Sequence, residues 1–201
     1  MRKLAAPVLL FALLLSAQQP PPAPTIEEYE PKAMLVVPKT TVPKAKFPFI
    51  DIHTHQRDTT RLDSLLKDMD SLNMRIMLSS PVSGSFGERT KKFLDAIKAH
   101  PQGSRFASMT NIDYKGIGAP DYGKRVAAQL EEDIKNGAIG LKVWKNFGMR
   151  EKDIDGKRVP VDDPRLDAVW DVCAKYKIPV MIHTADPKPL FDSMDKYNER
   201  W

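Results

Sequence analysis

The sequence predicts an α/β fold in which parallel strands alternate with helices that cover the outside of the sheet. Short apolar runs, typical of buried strands, alternate with longer segments in which apolar residues recur every three or four positions. The strands begin near residues 48, 74, 105, 138 and 178. This spacing leaves room for one helix between successive strands, as right-handed parallel crossovers require.

The individual strands and helices are predicted from the spacing of apolar residues and from the residues that typically begin or end a helix. The predicted strands are residues 47–55, 74–81, 105–113, 138–146 and 178–184. The predicted helices are residues 61–73, 88–99, 122–136 and 163–177. Gly137 is placed to end the third helix as a left-handed cap, and Asp163 followed by Pro164 is typical of a helix start.

These five β/α units are expected to be the first five of a TIM-type (β/α)8 barrel. Eight such units take about 250 residues, so the last three units would lie outside these 201 residues. The alternative is an open doubly wound sheet, whose first turn is usually rich in glycine. Here that turn is His-Thr-His-Gln, at residues 53–56, which favours the barrel.

Residues 1–17 have the pattern of a secretory signal peptide. Arg2 and Lys3 precede an apolar run over residues 4–15, and the small residues Ser16 and Ala17 follow it. The run is about half as long as a transmembrane helix. We therefore expect export to the periplasm or the cell exterior, without stable membrane insertion after cleavage. Residues 18–46 predict a Pro-rich linker or strap, and residues 47–201 predict the partial barrel.

The composition is that of a globular domain acting on a small-molecule substrate. The net charge of +5 comes from 31 basic and 26 acidic residues that are mixed along the chain. No dense basic run suggests nucleic-acid binding. The single cysteine, Cys173, excludes a disulfide framework and is expected to be a buried apolar residue of the last helix. The oligomeric state is left open.

Three of the four histidines lie where strands are predicted to end. His53 and His55 share one face of the first strand, because side chains alternate between faces, and His183 follows the fifth strand. Sites in barrels form at the carboxyl ends of strands. Three imidazoles suit Zn²⁺, with nickel, iron or manganese as alternatives, whereas a solvated His-Thr-His turn is the alternative without a metal. His100 is expected to be a surface residue.

The ordered strand ends resemble those of the amidohydrolase superfamily. The resemblance rests on D-x-H-x-H at residues 51–55, GLKVWKN at residues 140–146 and PVMIHTADP at residues 179–187. It is closest to the amidohydrolase-related branch, which includes enzymes similar to aminocarboxymuconate-semialdehyde decarboxylase, and it covers about residues 47–201. It implies that His53, His55 and His183 bind a divalent metal.

The same resemblance suggests a catalytic role for Lys142. Some members carry a carboxylated lysine at the matching place, bridging two metals, and the alternative is a cation that faces the substrate. Members also use a strand-eight aspartate as a ligand and base. That aspartate would lie beyond residue 201, so we expect these residues alone to be inactive.

The implied function is a metal-dependent hydrolase in which metal-bound water attacks an amide, ester or lactone carbonyl. A decarboxylase of the same superfamily, a PHP-like or TatD-like phosphoesterase, and a metal-dependent binding protein without turnover are the alternatives. Loops at strand ends are predicted to contribute the substrate contacts Arg57, Asn111, Lys145 and Asp186.

A hairpin is predicted over residues 149–162, as one wall of the site. Asp155-Gly156 would form its type I′ turn. A disordered surface insertion is the alternative.

Overall fold

The computed structural model describes residue 38, residues 40–184, residues 186–193 and residue 198. The predicted signal peptide and most of the Pro-rich segment lie outside the described residues. Residues 38–186 form one compact unit. The described part of a second unit contains the short 3-10 turn Lys188–Leu190 and an ion pair of 2.6 Å between Lys188 and Asp192.

Five parallel strands confirm the prediction of an α/β fold. They are β1 (Phe49–Thr54), β2 (Met74–Ser79), β3 (Phe106–Ser108), β4 (Leu141–Val143) and β5 (Val180–Ile182). Strands β1, β2 and β3 form one sheet and β4 and β5 form another. A single parallel bridge between Thr110 and Leu141 joins the two. Consecutive strands are thus neighbours, unlike the doubly wound order, in which the first strand lies inside the sheet.

Strands β3, β4 and β5 are shorter than the apolar runs predicted. β3 ends at Ser108, but Thr110 still pairs with β4 through one bridge. Its backbone N–H donates to Gly140 and its carbonyl accepts from Lys142. Its hydroxyl donates to a carboxylate oxygen of Asp133 at 2.6 Å and so ties this bridge to α3.

The helices cover the sheet close to their predicted positions. They are α1 (Leu62–Leu72), α2 (Glu88–Ala99), α3 (Tyr122–Lys135), the kinked turn α4 (Asn146–Met149) and α5 (Asp167–Tyr176). Gly137 has φ +111°, which confirms the left-handed cap. The Asp163 side chain accepts from the N–H of Arg165 and begins a 3-10 turn, Pro164–Leu166, ahead of α5. None of the described helices is long and apolar enough to cross a bilayer.

Two apolar clusters hold the helices against the strands. The larger joins α3, α5 and β4 around Val126, Leu130, Leu141 and Val169, all fully buried. The smaller joins α1, β2 and β3 around Leu66, Met69, Met74 and Phe106. Burying each such side chain contributes about 1.5–3 kcal/mol. Cys173 is buried in the larger cluster, as predicted, and burial raises the pKa of its thiol to about 11.

A short hairpin turn is present between β4 and α5, but its turn is not type I′. Lys152 and Arg158 form an antiparallel bridge, and Asp153 N–H donates to the Lys157 carbonyl. Gly156 has φ +77°, whereas Asp155 is not left-handed. A type I′ turn needs positive φ at both central residues. The Asp153 carboxylate instead caps the turn by accepting from the N–H groups of Asp155 and Lys157.

Candidate metal centre

The strands curve so strongly that side chains from distant strands meet. In a flat sheet β1 and β4 would lie about 14 Å apart, three strand spacings. Here Nζ of Lys142 on β4 is 3.4 Å from Nε2 of His53 on β1. Likewise the Ser80 hydroxyl, just after β2, lies 3.1 Å from Sδ of Met181 on β5. The carboxyl ends of the strands therefore converge on one concave site.

His55 is held in one orientation by a backbone carbonyl. Its Nδ1 lies 2.6 Å from the carbonyl oxygen of Ser80. A carbonyl can only accept, so Nδ1 carries the proton and the lone pair of a neutral ring is on Nε2. Histidines that bind metals typically donate their second N–H to a carbonyl or carboxylate in this manner. Ser80 is a contribution to the site that the sequence did not reveal.

The surroundings of His53 favour the neutral form of its imidazole. Desolvation is the largest cause that lowers its pKa, and repulsion from Lys142 lowers the pKa further, against a raising effect of Asp51. A neutral imidazole is the form that can bind a metal. The ring of His53 also lies at right angles to that of His55, with centroids 5.2 Å apart.

Trp144 lies between the first-strand histidines and His183. Its ring centroid is 5.7 Å from that of His55 and 5.6 Å from that of His183, both edge to face. The backbone N–H of Trp144 donates to the Tyr114 hydroxyl at 3.1 Å. Sequence analysis overlooked this residue, although Trp144 is two positions after Lys142 and so shares its strand face.

His183, Lys145 and Asp186 form a polar group at the ends of β4 and β5. The backbone N–H of His183 donates to Val143, and its Nε2 is 3.6 Å from a carboxylate oxygen of Asp186. Lys145 donates to the same oxygen at 2.6 Å and is the main cause of the lowered pKa of Asp186. The predicted substrate contacts Lys145 and Asp186 are thus paired with each other, and their role towards substrate stays a prediction.

Lys142 is almost fully buried, with 1% of its surface exposed. Burial lowers the pKa of its amine. No carboxylate pairs with Lys142 within the described part of the chain. The alternative of a solvated cation facing substrate receives no support from this environment.

Asn111 has an internal role, which corrects its prediction as a substrate contact. The residue is fully buried. Its side-chain amide donates to the carbonyl oxygen of Lys142 at 2.8 Å and its Oδ1 accepts from the N–H of Ser85. Because every strong bond of the amide is made within the protein, Asn111 positions β4 rather than facing a ligand. Arg57, in contrast, is exposed and lines a small cleft next to the histidines.

The donor chemistry fits a divalent metal, although the donors are not gathered around one point. Among the described residues, no three His, Cys, Asp or Glu side chains stand close enough together to hold an ion. The neutral state of His53 and the carbonyl-oriented ring of His55 are nevertheless what metal binding requires. His53, His55 and His183 are the residues that would hold it.

Comparison with known proteins yields a structural likeness that is distant. No protein-family model matches the chain, and no curated protein matches it. The fold is similar to the crystal structure of 4-oxalomesaconate hydratase from Rhodopseudomonas palustris, with 17% sequence identity and a TM-score of 0.42. The likeness covers 62% of this chain and 38% of the other, so this chain spans less than half of that structure. At this distance it carries no information about activity.

Proposed function

We propose that this protein is a metal-dependent hydrolase of the amidohydrolase type, acting on an amide, ester or lactone. The observation that carries the proposal is the state of the first-strand pair. His55 is oriented by the Ser80 carbonyl at 2.6 Å, and His53 lies 3.4 Å from Nζ of Lys142, with the pKa of its imidazole lowered. A solvated His-Thr-His turn would need neither feature.

The proposed architecture is the first five units of a (β/α)8 barrel. Sequential parallel pairing supports this proposal, as does the contact between His53 on β1 and Lys142 on β4. An open sheet keeps such strands far apart, whereas a closing barrel turns their inward side chains toward a common axis. Export through a signal peptide at residues 1–17 is part of the same proposal.

The residues of the chain would have the following roles. When bound, the metal supplies a nucleophile from water at neutral pH and polarises the substrate carbonyl. The Ser80 carbonyl keeps Nδ1 of His55 protonated, so that Nε2 faces the site. Trp144 packs edge-on against His55 and His183 and limits the rotation of both rings.

Lys142 is proposed as the residue that tunes His53. Its buried Nζ, whose pKa is lowered by burial, reaches Nε2 of His53, where Lys142 serves either as an uncarboxylated amine or, after carboxylation, as an additional oxygen ligand. Mass spectrometry of the intact protein distinguishes these states, because carboxylation adds the mass of CO2. Lys142→Arg is the matched variant that cannot be carboxylated.

Metal content tests the proposal directly. The His53→Ala/His55→Ala double variant is expected to lose the stoichiometric metal, most simply Zn²⁺, that elemental analysis finds in the wild type. His100→Ala is the matched control, since His100 follows α2 and contacts Asp63, away from the candidate site. A double variant that retains the full metal content would refute the assignment.

Turnover assays with a metal-loaded protein that includes the three further barrel units expected beyond residue 201 then separate the functions that share this site. Hydrolysis of amides, esters or lactones supports the proposal. Release of CO2 from an aromatic carboxylate would assign the decarboxylase alternative, and release of phosphate from a monoester would assign the phosphoesterase alternative. Metal binding without any turnover would leave a binding protein.

A further inference from the structure

We propose that the small cleft beside His55 is an oxyanion pocket, which binds a carboxylate or phosphate group of the substrate. The cleft lies where β1, β2 and β3 end, and Arg57 at its rim is only two residues after His55. Two arginines and four hydroxyl residues contribute to its lining: Arg57, Arg89, Ser79, Ser85, Thr90 and Ser108. As a substrate subsite this assignment rests on the proposed hydrolase, whereas oxyanion binding itself does not.

The charge of the cleft is the first observation behind this proposal. Neither Arg57 nor Arg89 has an ion-pair or hydrogen-bond partner for its guanidinium among the residues that the structure describes. Three of the seven other described arginines, Arg105, Arg125 and Arg165, pair with a carboxylate. Two unpaired guanidiniums on one cleft favour an anion, and their planar forks match carboxylate and phosphate oxygens.

A free hydroxyl inside the cleft is the second observation. Ser85 is buried, with 7% of its surface exposed, and its hydroxyl has no hydrogen-bond partner in the described residues. Its backbone is held on both sides, because the N–H donates to Asn111 Oδ1 and the carbonyl accepts from the backbone N–H of Asn111 at 2.9 Å. The Ser85 hydroxyl is therefore a positioned donor that a bound oxyanion would satisfy.

The other hydroxyls are already engaged and shape the wall. Ser79 donates to the Gln56 carbonyl at 2.7 Å, and Ser108 donates to the Met109 carbonyl at 2.7 Å. The bond from Ser79 matters most, since it fixes the backbone between His55 and Arg57. The backbone position from which the Arg57 side chain extends is thereby fixed relative to His55.

The size of the cleft limits what can enter. Its volume is about 40 Å³, and one water molecule needs roughly 10–15 Å³ of such space. A single carboxylate or phosphate group fits, whereas a whole substrate does not. The remainder of the ligand would extend from the cleft towards His53 and His55, so the proposed substrate is an anionic amide, ester or lactone.

Calorimetric titration of the metal-free protein with succinate and with inorganic phosphate tests the pocket. We expect saturable binding, weakened about tenfold in Arg57→Gln and in Arg89→Gln, which corresponds to about 1.4 kcal/mol each. Ser85→Ala should weaken it several-fold. Arg75→Gln is the matched control, because Arg75 is exposed near the amino end of β2, the opposite end from the cleft. The tighter of the two probes identifies carboxylate or phosphate as the natural group.

The same titration separates this inference from the proposed function. Saturable succinate or phosphate binding by a protein that binds no metal would support the pocket and refute the hydrolase. The pocket would be refuted by wild-type protein that binds neither probe, or by Arg57→Gln and Arg89→Gln variants that bind as the wild type does. Metal content of the same proteins, measured before the metal is removed, would be unaffected by that result.

Discussion

Asp133 on α3 is the buried residue whose replacement should most clearly change both stability and its pH dependence. The side chain is 1% exposed. Its Oδ2 accepts from the Thr110 hydroxyl at 2.6 Å, the Gly87 N–H at 3.1 Å and the Gln129 amide at 2.5 Å. Its Oδ1, like Oε1 of Gln129, is buried without a hydrogen-bond partner. Among the described residues, Oδ2 thus accepts three hydrogen bonds while Oδ1 accepts none.

Two substitutions separate these effects. Asp133→Ala leaves three donors without an acceptor, and each unsatisfied buried group costs about 1–3 kcal/mol, so a loss of at least about 3 kcal/mol is expected. Asp133→Asn keeps an acceptor for the three donors and places an amide N–H2 where Oδ1 lies. It also removes the burial of a negative charge. We therefore expect Asp133→Asn to cost less than about 1 kcal/mol at pH 7.

The pH dependence has a definite sign. Burial, outweighing the hydrogen bonds, raises the pKa of Asp133 above its ordinary value of 3.8. The folded state then holds a proton that the unfolded state has lost, so stability falls as pH rises from about 4 to the raised pKa. The slope is at most about 1.4 kcal/mol per pH unit. Asp133→Asn lacks this contribution, so the wild type should gain stability relative to it as pH falls towards 4.

Urea unfolding followed by tryptophan fluorescence measures both expectations. The free energy of unfolding of the wild type, Asp133→Asn and Asp133→Ala would be compared at pH 4.5, 6 and 7.5. A constant difference between wild type and Asp133→Asn across this range would contradict the raised pKa. Equal losses in the Asn and Ala variants would contradict the role of Oδ2 as a shared acceptor.

Three further substitutions are each expected to change the free energy of unfolding, measured with urea. Arg165→Lys should lose about 1 kcal/mol, because lysine cannot reproduce the two-pronged contact of the guanidinium with Asp163 at 2.7 and 2.8 Å. Gly103→Ala should lose about 3 kcal/mol, because a Cβ there would lie 1.9 Å from the carbonyl oxygen of Ile97. Lys177→Gly should gain about 1 kcal/mol, because Lys177 ends α5 in the left-handed region with φ +52°.

Each of these has a matched control in the same chain. Arg158→Lys should be neutral, since that exposed side chain has no partner within the described part of the chain. Gly84→Ala meets no atom within 4 Å and carries only the strain of φ +84°, about 1 kcal/mol. Lys124→Gly, inside α3, should lose about 1 kcal/mol. Equal effects in a variant and its control would contradict the cause given for that variant.

Local sequence signals predicted the helices and the order of the strands. Apolar periodicity and caps such as Asp163 act within a few residues, so they can be read along the chain. The lengths of β3 to β5 could not be predicted in this way, because they depend on pairing between residues distant in sequence, such as the bridge between Thr110 and Leu141. The turn at Gly156 was wrongly assigned because the Asp153 cap favours a different turn.

In the candidate site, too, local sequence predicted some features, while others depend on tertiary packing. His53 and His55 were identified as candidates from their spacing alone. Their orientation depends on Ser80 and Lys142, which come from other strands. Asn111 was misassigned for a related reason: at a strand end its amide could face solvent or the interior, and only the packing of neighbouring strands decides between them.

The geometry of this site depends on hydrogen bonds from side chains, because the backbone ladder is short. β4 and β5 contain only three residues each. Within β4 and just after β2 and β3, carbonyls accept from side chains: that of Lys142 from Asn111, that of Ser80 from His55, and that of Asp113 from Tyr122. A single substitution can remove one side-chain hydrogen bond, whereas it leaves the backbone hydrogen bonds of a ladder in place. Substitutions at Asn111, which would touch neither metal nor substrate, should therefore shift Lys142 and through it the ring of His53.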